Sequence, residues 1–303
     1  MIPTETIERL EALGIEYVRE LSLKSYSSFR IGGIVELAVF PDTEERLIEA
    51  LSLLRGAEIP YAVLGNGSNV LFSDGRLEGA IVFCKKMISL SVSDTRIDAA
   101  CGVTLAALAN EAAEHSLEGL AFARGIPGTV GGAVFMNAGA YGGSISDVLV
   151  ESRAFDTERG VTLTLTEHSF GYRTSVYMQK KELICLGASF SLQRGERDAI
   201  LERMRELAVS RREKQPLEYP SAGSYFKRPE GHFAGKLIED CGLKGYAIGG
   251  AQVSEKHAGF LINRGDATAD DVLRLEEYVK NEVLRRFGVA LEREVRVIDT
   301  LGV

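Results

Sequence analysis

Hydrophobic positions along this chain follow two spacings in turn, one helical and one alternating, with glycine-rich stretches at several of the changeovers. Asp42-Thr43-Glu44-Glu45 followed by Arg46-Leu47-Ile48-Glu49-Ala50-Leu51 predicts a capped amphipathic helix, because a short polar side chain there can accept an N–H that the first turn leaves unpaired. Pro60 to Leu64 predicts a short buried strand that delivers the loop Gly65-Asn66-Gly67-Ser68-Asn69. Gly79 to Phe83 and Arg96 to Ala100 are strand-like, Thr104 to Ser116 is alanine-rich and helical, and a second, longer glycine loop follows that helix. Val148 to Leu192 is β-rich, with Val161-Thr162-Leu163-Thr164-Leu165 alternating cleanly. Arg197 to Lys214 reads as a charged amphipathic helix broken by Pro216 and Pro220, and a domain boundary is expected within 195–215. Two short strands, Tyr246 to Ala251 and Gly259 to Asn263, then precede a helix from Ala269 to Phe287 stopped by Gly288. A last strand, Val289 to Asp299, closes a pattern that shows no internal repeat.

The longer loop changes the picture. From Gly125 to Gly143 the chain holds seven glycines in nineteen residues, with one proline and otherwise mostly small or apolar side chains. Glycine costs folding entropy, so this density implies backbone that takes unusual dihedrals or touches something flat or anionic. The two glycine loops together point to one large ligand held by main chain. Neither fits a common nucleotide motif. A dinucleotide fingerprint fails because the third glycine position after Gly65 and Gly67 is Val70, and Gly231, Gly235 and Lys236 do not have P-loop spacing.

Charge and composition exclude several classes. With 303 residues, 45% of them hydrophobic, the chain can bury the cores of two or three domains. Its formal net charge of -8 gives no general attraction to nucleic acid or an anionic membrane, so an anionic ligand needs a local basic cluster. Cys84, Cys101, Cys185 and Cys241 are scattered and read as reduced core thiols. His115, His168, His232 and His257 lack the spacing of a metal-ligand pair, and no G-x-S-x-G elbow is present. Glu5, Glu8, Glu11, Glu16 and Glu20 exclude a secretory signal, and no apolar run reaches the roughly 18 residues a membrane span needs. The expectation is a cytoplasmic, soluble protein without metal.

Ser221-Ala222-Gly223-Ser224-Tyr225-Phe226-Lys227-Arg228-Pro229 resembles the A-G-S-x-F-K-N/R-P signature of the UDP-N-acetylenolpyruvoylglucosamine reductases of peptidoglycan synthesis. Five further stretches are similar to that family in the right order. They are Ser28-Phe29-Arg30-Ile31-Gly32-Gly33, Leu64 to Asn69, Ile126 to Ala133 continued by Asn137 to Gly142, Phe170-Gly171-Tyr172-Arg173, and Glu294-Val295-Arg296. The resemblance implies an α+β architecture: an FAD-binding fold of the vanillyl-alcohol oxidase type in two subdomains, plus an α/β substrate-binding domain. The implied limits are 1–80 with the C-terminal strand 295–303 for the first subdomain, 81–205 for the second, and 206–294 for the substrate domain. Only Glu230 to Cys241 separates Pro229 from Gly242-Leu243-Lys244-Gly245, so the chain is similar to the short type, without the insertion that folds a tyrosine over the substrate diphosphate.

By the same resemblance the protein reduces an enolpyruvyl UDP-sugar with non-covalent FAD and NADPH, and needs no nucleic acid, membrane insertion or obligate protein partner. The implied cofactor-binding residues are Gly65, Asn66, Gly67, Ser68, Asn69, Ile126, Pro127, Gly128, Thr129, Gly131, Gly132, Ala133, Asn137, Gly139 and Ala140. Arg173 is expected to grip the substrate carboxylate with its planar fork, Glu294 to assist on the carboxylate side, and Ser224 to supply the proton that completes reduction. Tyr172, Lys214, Lys227 and Asn263 match substrate-binding positions. Two other readings stay open on the residues alone. One is an oxidase on the same flavin fold, which has no reason to keep Arg173, Ser224 and Glu294 together, and the other is a non-catalytic nucleotide-binding module.

Overall fold

A computed structural model describes residues 2–302, and its first sheet is built around a strand that is hydrophobic on both faces. That strand, Ile34–Phe40, is buried from Val35 onward, as a near-continuous apolar run requires when both faces are covered. It pairs antiparallel with Glu16–Ser22 and parallel with Arg76–Phe83, which in turn pairs parallel with Tyr61–Leu64. On one side lies the helix Glu44–Gly56, whose Thr43 hydroxyl accepts from the Arg46 amide at 3.2 Å and whose Leu47, Leu51 and Leu54 are fully buried. Such a cap is worth about 1 kcal/mol. On the other side Phe40, Phe72 and Phe83 form a separate apolar cluster.

The second unit is a five-stranded antiparallel sheet in the order Val161–Leu165, Leu149–Asp156, Leu183–Ser191, Arg96–Ala100 and Leu90–Ser93. The short helix Val130–Met136 packs on its central strand, so the second glycine segment is docked against a rigid surface. That helix departs from the sequence reading, which takes 125–143 as loop throughout. Glycine tolerates a helix when tertiary packing stabilises it, and Val130, Ala133 and Val134 are buried there.

The last unit packs the three-stranded sheet of Ala247–Ile248, Ala251–Val253 and Leu261–Asn263 against the helix Ala269–Phe287. The sequence reads Tyr246 to Ala251 as one strand. The chain instead turns back at Gly249-Gly250, where the Asp271 carboxylate occupies the space a Cβ on Gly249 would need and accepts from the Gly250 amide at 3.2 Å. The helix starts with a Thr268/Asp271 capping box and stops at Gly288 with φ +69°. Its first two amides, of Ala269 and Asp270, also donate to the Asp74 carboxylate of the first unit at 2.9 and 3.2 Å.

Phe29, Ile31 and Leu71 enter the core of this last unit, so the junction is apolar as well as hydrogen-bonded. Only Arg296–Ile298 of the expected final strand is extended and paired, parallel to Val70–Phe72 beside the first glycine loop. Within 289–295, residues 292–294 bind instead to residues 225–227 by backbone contacts. The architecture is α+β, and among the described residues no helix is long and apolar enough to cross a membrane.

Candidate active site

A cavity of about 970 Å³ runs along the line where the three units meet. That size lies at the upper end for small-molecule sites. Both glycine segments wall it, joined by a bond from the Asn66 side-chain amide to the Pro127 carbonyl at 3.3 Å. In the first segment the glycines serve packing. A Cβ on Gly65 would collide with Thr129 Oγ1, and one on Gly67, at φ +60°, with the Tyr26 carbonyl. In the second, Gly128 and Gly132 face only ordinary contact distances, which leaves the wall open on the cavity side.

Two features make this wall a seat for an anion. The amide N–H groups of residues 65–69 donate to no other part of the described chain. Thr129 Oγ1 is buried and, among the described residues, is the one buried side-chain polar atom with no hydrogen-bond partner. A native fold rarely leaves a buried hydroxyl unsatisfied, so a missing partner at a cavity wall marks where a ligand oxygen belongs. A dinucleotide diphosphate such as that of FAD fits this cradle.

The same cavity brings Arg173, Ser224 and Glu294 together. The Tyr225 carbonyl accepts from the Glu294 amide at 2.9 Å, which sets Ser224 beside Glu294 on adjacent extended segments. Arg173 Nε donates to Glu294 Oε1 at 2.7 Å and its Nη2 to the Gly139 carbonyl at 3.1 Å. Asn69 ties the first glycine loop to the same place, donating from its side chain to the Glu294 carbonyl at 3.2 Å while its own carbonyl accepts from the Arg296 amide at 3.0 Å. Tyr225 anchors the segment from below, its buried hydroxyl donating to Glu276 at 2.8 Å. The Ser224 hydroxyl is exposed to the cavity and makes no bond to the described protein. Arg30, Tyr141 and Arg173 all line the cavity with φ near +55°, a conformation costing of order 1 kcal/mol or more that clusters at functional sites.

The electrostatics are lopsided. Burial pushes the Glu294 carboxyl above its ordinary range, and the nearby Arg173 guanidinium, more than the Lys227 ammonium, only partly offsets this. Arg30, Lys181, Arg211 and Arg296 also line the cavity, and none forms an ion pair with a carboxylate among the described residues. Burial lowers the pKa of the Arg211 and Arg296 guanidiniums; Arg211 donates to the neutral Gln215 side chain and Arg296 lies over the Phe135 ring, so neither charge is met by a carboxylate among the described residues. A protein with net charge -8 has therefore gathered unpaired cations in one cavity. Sequence reasoning placed Arg30 only within a family-like stretch and missed Lys181 and Arg211, because what distinguishes them is the absence of a carboxylate partner in space.

All the expected cofactor residues except Asn137 line the cavity. Asn137 ends the short helix at φ +44°, donating to the Gly171 carbonyl at 3.1 Å and accepting from the Ser146 amide at 3.0 Å. The expected substrate residues lie outside the wall. Asn263 is buried, its amide donating to the Phe29 carbonyl and its oxygen accepting from Gly265 and Ala267, so its polar atoms brace a loop. Lys227 pairs with Glu292 at 3.1 Å, and Lys214 is exposed at the end of the helix that enters the cavity through Arg211. Tyr172, exposed beside Arg173, accepts from the Arg228 amide at 3.1 Å. The four cysteines are free, and no group of three metal-ligating side chains occurs among the described residues.

Residues 35–166 match the family described as FAD binding domain, and residues 215–298 match the C-terminal domain of UDP-N-acetylenolpyruvoylglucosamine reductase. A protein of that name from Clostridium botulinum is 50% identical over 277 residues, covering 91% of this chain and 90% of the relative. Its counterpart from Caldanaerobacter subterraneus is 47% identical over 277 residues, covering 91% of each. The crystal structure of UDP-N-acetylenolpyruvylglucosamine reductase from Thermus caldophilus superposes with a TM-score of 0.78 at 35% identity, over 93% of this chain and 98% of that one.

Proposed function

The chain belongs to the family of UDP-N-acetylenolpyruvoylglucosamine reductases, and we propose that its cavity performs that reduction with FAD seated on the two glycine segments and Arg173, Ser224 and Glu294 around the reacting double bond. The observation that carries this reading is the presence of those three side chains in one cavity whose wall also holds an unsatisfied anion cradle. FAD, when bound there, would supply hydride transfer from NADPH to the enolpyruvyl double bond.

The protein's own residues do the rest. Thr129 Oγ1 and the free amides of residues 65–69 would hold phosphate oxygens of the cofactor. Arg30, Lys181, Arg211 and Arg296 offset the charge of the dinucleotides and the sugar nucleotide, all polyanions. Arg173, with its Nε held by Glu294 and one Nη2 hydrogen by Gly139, presents its remaining N–H groups to the substrate carboxylate. The negative charge that grows on that carboxylate as hydride arrives is matched by a permanent cation already in place. Ser224, with no bond to the protein, is available to give its hydroxyl proton to the carbon next to the one reduced. The product on this reading is UDP-N-acetylmuramate, a peptidoglycan precursor, and water-soluble nucleotide substrates favour a cytoplasmic reaction.

Anaerobic stopped-flow absorbance on FAD-loaded protein separates the two halves of this reaction. Ser224→Ala leaves flavin reduction by NADPH nearly intact and slows reoxidation by the enolpyruvyl UDP-sugar at least about 100-fold, since the proton is needed only there. An equal loss in both halves removes Ser224 from the donor role.

A further inference from the structure

Arg173 sits at the tip of a clamped loop. The loop leaves the protein at His168 and returns at Ser175, and its neck is closed by the Val176 amide on the His168 carbonyl at 2.6 Å. Below the neck, the His168 ring and the Tyr177 hydroxyl both bond to Ser152 Oγ at 2.7 Å, and Ser175 Oγ donates to the Phe135 carbonyl at 2.8 Å. His168, Ser152, Tyr177 and Ser175 are all buried. At the tip, Gly171 and Thr174 pair through their backbones, with Tyr172 and Arg173 between them and Arg173 at φ +56°. A residue with a Cβ leaves that conformation unless its surroundings hold it.

Glu294 holds the guanidinium from outside the loop, and one side chain bonds the turn's backbone from outside it. The Asn137 amide donates to the Gly171 carbonyl, the same carbonyl that accepts from the Thr174 amide to close the turn. Asn137 is itself fixed, buried, left-handed, and bound through Oδ1 to the Ser146 amide. Two residues on, the Gly139 carbonyl accepts from Arg173 Nη2. The segment 137–139 therefore grips the loop at its backbone and at its guanidinium. Asn137 does not line the cavity.

We infer that Asn137 is a positioning residue: it aims the Arg173 guanidinium at the substrate carboxylate by fixing the turn that carries it, and makes no contact with the cofactor. This rests on the role given to Arg173 above. Asn137→Asp keeps the acceptor for Ser146 but sets a carboxylate oxygen against the Gly171 carbonyl. Asn137→Gly removes the amide while accepting the left-handed backbone without strain, and replaces the Asp variant should that fail to fold by circular dichroism.

In the anaerobic half-reactions, either variant retains FAD and is reduced by NADPH within about 3-fold of wild type, but is reoxidised by the enolpyruvyl UDP-sugar at least about 30-fold more slowly. Titration of the oxidised protein with UDP-N-acetylmuramate shows affinity weakened about 10-fold, a readout independent of turnover. Combined with Arg173→Lys, the second substitution adds little, because both remove the same interaction. Loss of FAD, an equal fall in both half-reactions, reoxidation at the wild-type rate, or full multiplication of the two effects each overturns the inference. If Arg173→Lys alone reoxidises normally, the Arg173 role falls and takes this one with it. A slow Arg173→Lys beside a normal Asn137→Asp sinks only the positioning claim.

Discussion

Arg173 and Glu294 share a bond whose energetics favour function over stability. Burial raises the pKa of the Glu294 carboxyl, and the Arg173 guanidinium bonded to it only partly offsets this, so its folded-state value lies above its unfolded one. A group of that kind stabilises the fold below its unfolded pKa, and that contribution is lost as pH rises through the folded value. Glu294→Gln is thus expected to leave the thermal midpoint at pH 7 unchanged or higher while turnover drops at least about tenfold, because Arg173 loses the charge that orients it. A lowered midpoint with intact turnover contradicts this. Arg173→Lys keeps the charge but loses the fork, and reoxidation should slow by about 100-fold or more while reduction by NADPH persists, measured in the same half-reactions. These residues were legible in the sequence through the family resemblance of the short motifs that hold them, since composition alone reads the surroundings of Glu294 as a charged strand. Arg211 and Lys181 were not, since a cation reveals itself as lacking a carboxylate partner only when the fold shows what surrounds it.

At the scale of elements, the glycine segments carry two kinds of requirement. Gly65 is needed because Thr129 occupies the space of its side chain, so Gly65→Ala must push the two loops apart. FAD affinity should fall at least about tenfold in equilibrium dialysis, and binding at the wild-type level would show that the loops do not share the cofactor. Thr129→Val separates ligand from fold more sharply. Its hydroxyl has no partner within the protein, so the change leaves the apoprotein as stable or more so, yet costs about 1 kcal/mol of FAD binding. A destabilised apoprotein with unaltered FAD affinity contradicts the assignment. The cap before Glu44 and the stop at Gly288 could be read in the sequence because capping is local chemistry. The helix Val130–Met136 could not, since its glycines form a helix only against the central strand of the second sheet, and 289–295 pairs with residues far away in sequence.

Over the whole molecule, burial lowers the pKa of both His168 and His257, so each stays neutral in the fold at pH values where the unfolded chain takes up a proton. The unfolded state then binds more protons, and stability should fall as pH drops below about 6.5, by up to roughly 1.4 kcal/mol per pH unit for each histidine. Glu36 and Asp271, held below their ordinary values mainly by backbone N–H donors against a burial cost, add losses of the same sign at lower pH. Urea midpoints across pH 7 to 5 check this, and a flat profile contradicts it. The protein's negative net charge and its cationic cavity are reconciled by one assignment, polyanionic nucleotides bound at the junction of three units. Absorbance of the purified, FAD-loaded protein under strict anaerobiosis tests that assignment most directly. Flavin bleached by NADPH and restored in full by UDP-N-acetylenolpyruvoylglucosamine is the predicted result; protein that takes up no FAD, or reduced flavin that the sugar nucleotide leaves bleached, contradicts it.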